Sequence, residues 1–151
     1  MVVADGQGIP LGHHLDSASP SEVKLIEKTL DSVSVPRIGK GRPRKKIQRL
    51  IYDKAADSDP LRQRLKKRGV DLICPHRENR TKIKTQDGRK LRRYKRRWKI
   101  ERSISWIGNY RRLVIRYDHN IRNYNAFFKI ACMMISLNKL LNLDNCYNSI
   151  T

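Results

Sequence analysis

Two short apolar runs, separated by a helical pattern, constrain the fold of this chain more than any other feature. The runs Leu50–Tyr52 and Val70–Cys74 have the length and composition of buried strands. Between them, Asp59–Lys67 places Leu61 and Leu65 four residues apart, as on one face of a helix. A strand, a helix and a second strand in this order are typical of parallel strands joined by a helical crossover. The pattern therefore predicts an α/β fold.

The N-terminal segments add a hairpin and a helix. Met1–Ala4 and Ile9–Leu15 are apolar runs on either side of an Asp-Gly turn signal, so they predict a β-hairpin. Ser19–Val33 predicts a helix that Ser19 caps and in which Pro20 is the first helical residue. The buried face of this helix is predicted to consist of Val23, Ile26, Leu30 and Val33.

The C-terminal half is predicted to be mainly helical. A polar loop, Arg77–Lys90, precedes a long basic helix, Leu91–Ile107, and an extra C-terminal helix, Asn120–Leu141, that is apolar on most sides and should lie in the core. The expected fold is a mixed α/β sheet with flanking helices. Residues 1–143 would form one domain, and residues 144–151 would form a tail.

The net charge of +20, from 34 Lys and Arg against 14 Asp and Glu, requires an anionic partner. DNA is favoured because lysines and arginines that neutralise phosphates dominate its affinity. The basic linker, residues 37–49, has a slim Gly-Arg-Pro core, so Arg42 could enter a narrow minor groove. The alternative is a solvated linker without a role. The linker residues assigned to DNA binding are Arg42, Arg44, Lys45 and Lys46.

Neither a membrane nor a secreted location is expected. The run Ile130–Leu137 is too short to span a bilayer, and the N-terminus lacks the features of a signal peptide. Cys74, Cys132 and Cys146 are odd in number and far apart, which fits neither a disulfide framework nor a zinc site. The chain is expected in a reducing bacterial cytoplasm, associated with the nucleoid.

Two carboxylates are candidates for chemistry. Asp53 follows an apolar strand, where ligand groups gather in α/β sheets, although it could equally be a turn or cap residue. Glu101 would share a helix face with Tyr94 and Arg97 and would be partly buried. The alternative for Glu101 is a surface ion pair with Arg97. Carboxylates from two elements could hold Mg²⁺ or Mn²⁺ for phosphoryl transfer. Asp57 is expected to be a turn residue.

The segment YKRRWKIERSISWIGNYRRLVIRYD resembles the signature region of insertion-sequence DDE transposases of the superfamily of type-four and type-five elements. That pattern is Tyr, two residues, Arg, three residues, Glu, six residues and a basic residue. Tyr94, Arg97 and Glu101 match it, whereas the last position falls on Gly108. The segment around Asp53 resembles the second-aspartate region of the same family.

The resemblance implies a partial RNase H-like fold and a DNA transposase that cleaves and transfers DNA strands at the element ends and the target. The implied cofactor is Mg²⁺ or Mn²⁺, two ions in the complete site, and Asp53 and Glu101 are the implied catalytic metal ligands. Tyr94, Arg97, Arg111 and Arg112 are assigned to DNA binding.

The first catalytic aspartate of the family lies on a strand just before the hairpin with which this chain begins. Neither Asp5 nor Asp16 replaces it. The chain is therefore expected to be the C-terminal part of a catalytic domain, a truncated copy or a second-frame product, and inactive alone. A homo-oligomer or the product of an upstream reading frame would be its protein partner. The alternatives are a non-catalytic basic nucleic-acid-binding protein and a regulator of transposition.

Overall fold

The computed structural model describes residues 1–17, 20–84 and 88–141. The predicted tail, residues 144–151, and Cys146 lie outside these residues. The elements in chain order are β1 (Val2–Ala4), β2 (Pro10–His13), α1 (Glu22–Asp31), β3 (Arg49–Ile51), α2 (Asp59–Lys67), β4 (Asp71–Ile73), α3 (Gly88–Tyr94), α4 (Trp98–Gly108), α5 (Arg111–Val114) and α6 (Ile121–Leu140). The predicted α/β class and the order of the main elements are confirmed.

The chain divides into two compact units. The first consists of Met1–Val3 and Gly12–Trp98, and the second consists of Ala4–Leu11 and the described part of Lys99–Thr151.

The predicted crossover between parallel strands is confirmed in the first unit. β3 pairs in parallel with β4, with Leu50 opposite Leu72 and Ile51 opposite Ile73. α2 lies between the two strands in the chain. Its Leu61 is fully buried in the hydrophobic core. The same core also contains Ile26, Leu30, Ala56, Leu65, Val70 and Cys74.

Within the described residues, the strands form two sheets of two strands each, β1 with β2 and β3 with β4. The prediction of one mixed sheet is therefore wrong in this respect. The hairpin itself is confirmed, since the N-terminal ammonium of Met1 donates to the carbonyl oxygen of His14 at 2.8 Å and the His14 amide donates back to Met1 at 3.0 Å.

Helix α1 begins later than the sequence predicts. Ser21 is its N-cap residue and has an extended backbone, so the first helical residue is Glu22. Pro20, the predicted first helical residue, therefore precedes the helix, and the predicted cap Ser19 lies outside the described residues. The buried face is largely as predicted, with Ile26, Leu30 and Val33 buried.

The predicted long basic helix is divided into two α-helices. α3 ends at Tyr94, a 3₁₀ turn follows at Lys95–Arg97, and α4 begins at Trp98. A 3₁₀ turn has about three residues per turn, so it changes the angle between the side chains that precede and follow it. Tyr94 and Glu101 therefore do not lie on one continuous α-helical face.

Helix α6 is buried along one narrow stripe only. Phe128, Ala131 and Ile135 are its buried residues, at the i, i+3 and i+7 spacing of a single helix face. Several large apolar residues are exposed instead: Ile121, Ile130, Met133, Met134, Leu137 and Leu140. The prediction that this helix is core on most sides is therefore wrong. No helix in the described part of the chain is long and apolar enough to cross a membrane.

In the second unit, α4 holds the hairpin turn through three side chains. The donors are Lys99, Arg102 and Ser103, and the acceptors are the carbonyl oxygens of Gly6, Gln7 and Gly8. Ser103 is fully buried, and its hydroxyl donates to Gly8 at 2.6 Å. Burying this hydroxyl is tolerated because the hydrogen bond replaces the water that it loses.

Gly8→Ala should destabilise this arrangement, whereas Gly6→Ala should not. Gly8 has a φ of 87°, and a Cβ there would lie 2.9 Å from Ser103 Oγ, while a Cβ on Gly6 would meet nothing within 4 Å. We expect Gly8→Ala to lower the free energy of unfolding by about 1–2 kcal/mol and Gly6→Ala to change it by less than about 0.5 kcal/mol. Urea unfolding followed by circular dichroism measures the free energy of unfolding of both variants. Equal decreases in Gly8→Ala and Gly6→Ala would contradict the close contact between Gly8 and Ser103.

Candidate active site and nucleic-acid surface

Asp53 lies at the carboxyl end of β3, as the sequence predicts. The Tyr52 amide still donates to Ile73 across the sheet at 3.0 Å, and Asp53 follows as the N-cap residue of a 3₁₀ turn, Lys54–Ala56. Its half-buried carboxylate accepts the Ala55 amide at 2.9 Å. The alternative that Asp53 is a cap residue is therefore confirmed. That it is a metal ligand stays a prediction, and the two roles are compatible.

The 3₁₀ turn after Asp53 is held from outside by an arginine. Arg77 donates to the carbonyl oxygens of Lys54 and Ala55 at 3.3 and 3.2 Å. Lys54 in turn makes an ion pair with the exposed Glu78 at 2.7 Å. The loop after β4 therefore fixes the backbone that orients the Asp53 carboxylate.

Asp57 lies at the centre of a buried network of charged groups. Only 3% of its side chain is exposed. Its carboxylate contacts Arg62 Nη2 at 2.9 Å, His76 Nδ1 at 2.9 Å, the Arg77 amide at 2.9 Å and Arg80 Nη1 at 3.6 Å. Asp57 ends the 3₁₀ turn Lys54–Ala56, as predicted. Its side chain has a further role that the sequence does not reveal, because His76, Arg77 and Arg80 lie about 20 positions away.

The network keeps Asp57 ionised. Burial alone would raise the pKa of this carboxyl, but the hydrogen bonds from the Arg77 amide, Arg62 and His76 outweigh it and lower the pKa to about 2. Arg80 extends the network to a second carboxylate, since its Nη2 lies 2.9 Å from Asp59. Charges that are paired in this way can remain in a region from which water is excluded.

The described cysteines, Cys74 and Cys132, are a buried and a half-buried free thiol. Cys74 is fully buried, and its sulfur accepts a hydrogen bond from Arg62 Nη2 at 2.8 Å. Burial raises the pKa of Cys74 to about 11 and also raises the pKa of Cys132. Both thiols are therefore protonated near neutral pH.

Glu101 lies in the first turn of α4, and its side chain is exposed. The prediction that it is partly buried is therefore wrong. A carboxylate at this end of a helix is stabilised by the helix dipole. The neighbouring cations have structural contacts of their own: Lys99 and Arg102 hold the hairpin turn, and Arg97 lies over the Tyr94 ring at 5.8 Å.

Asp53 belongs to the first unit and Glu101 to the second. That the two carboxylates converge on one metal site therefore stays a prediction. Within residues 1–17, 20–84 and 88–141, no group of three or more His, Cys, Asp or Glu side chains could hold a metal ion.

Six of the eight predicted DNA-binding residues are exposed, whereas Tyr94 and Arg97 are half-buried. Arg111 and Arg112 are exposed on α5, where Arg112 also lies over the Phe127 ring at 4.6 Å. The linker residues Arg42, Arg44, Lys45 and Lys46 are exposed in the first unit. Their exposure is compatible with binding to phosphates, which stays a prediction.

The transposase DDE domain family matches residues 1–136 of the chain. The chain belongs to this family. A Burkholderia cepacia protein described as a candidate transposase for insertion sequence element IS402 is 29% identical over 143 residues, which are 95% of this chain and 64% of the relative. The chain therefore spans less than two thirds of the length of that relative. No solved structure matches it significantly.

Asp57→Asn should cost stability in a pH-dependent manner. At pH 7 we expect the free energy of unfolding to fall by about 3 kcal/mol, because buried Arg62 loses its ionised partner. The folded-state pKa of Asp57 is about 2, below its ordinary value of 3.8. The carboxylate therefore contributes stability above pH 4, and this contribution of about 2 kcal/mol should disappear as the pH falls from 4 to 2.

The measurement is urea unfolding of wild type and variant between pH 2 and pH 7. Asp31→Asn is the matched control, because Asp31 pairs with Arg68 at the surface with 65% of its side chain exposed and should contribute less than about 1 kcal/mol. A difference between wild type and Asp57→Asn that does not depend on pH would contradict the ionised network.

Proposed function

We propose that this chain provides part of the catalytic domain of an insertion-sequence transposase, which cleaves and joins DNA strands with divalent metal ions. One observation carries the proposal: within the segment that matches the DDE family, Asp53 lies at the carboxyl end of a parallel strand. This is where ligand groups collect in α/β sheets. The same proposal includes an RNase H-like arrangement, which the hairpin and the parallel crossover support without establishing it.

Asp53 and Glu101 would hold Mg²⁺ or Mn²⁺, two ions in the complete site. Carboxylate oxygens suit these hard cations. Asp53 uses one oxygen to accept the Ala55 amide, and a carboxylate has about four lone-pair sites, so capacity for a metal remains. Glu101 is accessible because its side chain is exposed. When bound, the ions would activate water or a 3′-hydroxyl for attack on a DNA phosphodiester.

The remaining assignments concern the DNA. Arg97 is oriented by the Tyr94 ring and Arg112 by the Phe127 ring. A stacked guanidinium keeps its planar edge for hydrogen bonds to phosphate oxygens. We propose that these two side chains, with Arg111, hold the DNA backbone next to the carboxylates.

The isolated chain is proposed to lack a third catalytic carboxylate. Asp5 is engaged in the hairpin turn, where its Oδ1 accepts the Gln7 and Ile9 amides at 2.8 and 2.9 Å. Asp16 accepts the Ser17 amide and pairs with Lys28 at 3.4 Å. Asp5 lies in the turn between β1 and β2 and Asp16 follows β2, whereas the family resemblance implies a first aspartate on a strand before this hairpin. We propose that this aspartate comes from further polypeptide, such as the product of an upstream reading frame.

Mn²⁺ binding tests the metal assignment. We expect the full chain to bind Mn²⁺, and Asp53→Asn and Glu101→Gln each to weaken binding at least about tenfold, because each removes a charged oxygen ligand. Electron paramagnetic resonance of unbound Mn²⁺ gives the affinity. Glu78→Gln is the matched control, since Glu78 is an exposed carboxylate that pairs with Lys54, and it should bind as wild type does.

The outcome also separates a catalytic role from simple DNA binding. DNA affinity should stay the same or rise in Glu101→Gln, because a negative charge is removed. A chain that binds no Mn²⁺, or binds it equally well in all variants, would rule out the metal site and leave a basic DNA-binding protein or a regulator.

A strand-transfer assay tests the proposed inactivity of the isolated chain. With Mn²⁺ and duplexes that carry the element ends, we expect no joined product from the chain alone, because a two-metal site needs more carboxylates than Asp53 and Glu101. Joined product that Asp53→Ala abolishes would show that the chain is sufficient for catalysis.

A further inference from the structure

The basic linker contains a closed loop rather than a free segment. Val35 and Arg44 form an isolated antiparallel bridge, in which the Val35 amide donates to Arg44 at 2.9 Å and the Arg44 amide donates to Val35 at 2.7 Å. The eight residues between them, 36–43, form what we call the basic loop. The bridge fixes the two points at which the basic loop joins the rest of the first unit. The side chains of the basic loop therefore extend from a fixed position.

The basic loop and the residues after it concentrate positive charge that the protein does not neutralise. Residues 37–46 contain six lysines and arginines and no acidic residue, and all ten are exposed. In the described part of the chain, the carboxylates pair with cations of other segments, such as Lys28, Arg64 and Arg68. A dense group of exposed cations without a carboxylate partner favours a polyanion as its ligand.

The loop is slim at the position of its central arginine. Gly39 and Gly41 have no side chain, and a Cβ on Gly39 would meet no atom within 4 Å. Pro43 restrains the preceding residue, Arg42, to an extended backbone. The minor groove of B-DNA is only about 6 Å wide, so a narrow extended segment with one central arginine fits it better than a helix does.

Two of the six cations in residues 37–46 and one arginine from the end of α2 lie at the base of the loop. Lys45, Lys46 and Arg68 line a shallow hollow with an apolar floor that includes Leu30 and Val70. Cations in such a position bind backbone phosphates and fix the register of a protein on DNA. The loop and the hollow are adjacent in sequence, because Lys45 directly follows the bridge residue Arg44.

We propose that the basic loop inserts Arg42 into the narrow minor groove of A·T-rich DNA, while Lys45 and Lys46 bind the flanking phosphates. A-tracts have a narrow minor groove with an enhanced negative potential, which attracts an inserted arginine. This inference deepens the proposed function, since it rests on DNA as the partner. It does not require the metal site.

The test compares binding of the full chain to three duplexes of equal length by fluorescence anisotropy over a series of salt concentrations. One duplex has a central A-tract, the second has G·C pairs there, and the third has inosine·cytosine pairs. Inosine lacks the 2-amino group of guanine, so the third duplex presents an A·T-like minor groove and a G·C-like major groove. We expect the A-tract and inosine duplexes to bind at least about fivefold more tightly than the G·C duplex.

Arg42→Ala should abolish this preference by weakening binding to the A-tract duplex about tenfold and leaving the G·C duplex much less affected. Lys67→Ala is the matched control, because Lys67 is an exposed cation at the end of α2. It removes the same charge and should weaken binding to all three duplexes by the same factor. Both substitutions lie at exposed positions, and circular dichroism verifies that the fold is intact.

If Arg42→Ala weakened binding to all three duplexes by the same factor, the proposal would be overturned. The basic loop would then bind only the phosphates of the DNA backbone. An inosine duplex that binds like the G·C duplex would also overturn the proposal, because the protein would then distinguish the duplexes in the major groove. A chain that fails to bind Mn²⁺ but keeps the preference for the A-tract would refute the catalytic assignment alone.

Discussion

The paired carboxylate of Asp57 is the interaction on which the first unit depends. It joins three parts of the chain: the turn after Asp53, helix α2 through Arg62, and the loop after β4 through His76, Arg77 and Arg80. A buried charge without these partners would cost several kcal/mol, so the network forms completely or the region does not fold as observed. The position of Asp53 follows from this constraint, because the turn that it caps is held by the same loop.

The cations of this chain divide into structural and outward-facing groups. Lys99 and Arg102 donate hydrogen bonds to carbonyl oxygens of the hairpin turn, and Arg62 donates to the carboxylate of Asp57. The residues of the basic loop have no such internal task. With 34 cations against 14 carboxylates, the chain cannot neutralise itself, and the surplus is concentrated in exposed segments. Self-repulsion of that surplus would be relieved by a bound polyanion, which would therefore stabilise the folded chain.

The spacing of hydrophobic residues in the sequence is sufficient to predict two strands and one helix of the first unit. The parallel strands β3 and β4 and the helix α2 follow from apolar runs and from leucines at helical spacing, and their bounds agree with the prediction within two residues. The place of Asp53 at a strand end follows from the same pattern. These features depend on local sequence, which is why a single sequence was sufficient to predict them.

The features that could not be predicted are those that depend on contacts between residues distant in sequence. The role of Asp57 depends on residues up to 23 positions away, and no local pattern links them. The exposed apolar surface of α6 was missed because composition gives the amount of apolar surface but not how many neighbours cover it. The exposure of Glu101 was missed because α4 buries the face that carries Ser103 and Ile107, and a buried serine gives no hydrophobic signal in the sequence.

One consequence concerns the outer edge of β4. In a parallel pair, alternate carbonyls point towards the partner strand and away from it, and Ile73 points its carbonyl to Tyr52 of the β3 side. Arg62 binds the carbonyl oxygens of the two flanking residues, Leu72 and Cys74, at 3.3 and 3.1 Å. The guanidinium thus occupies the acceptor positions that an incoming strand would need, so the outer edge of β4 is closed to a further strand.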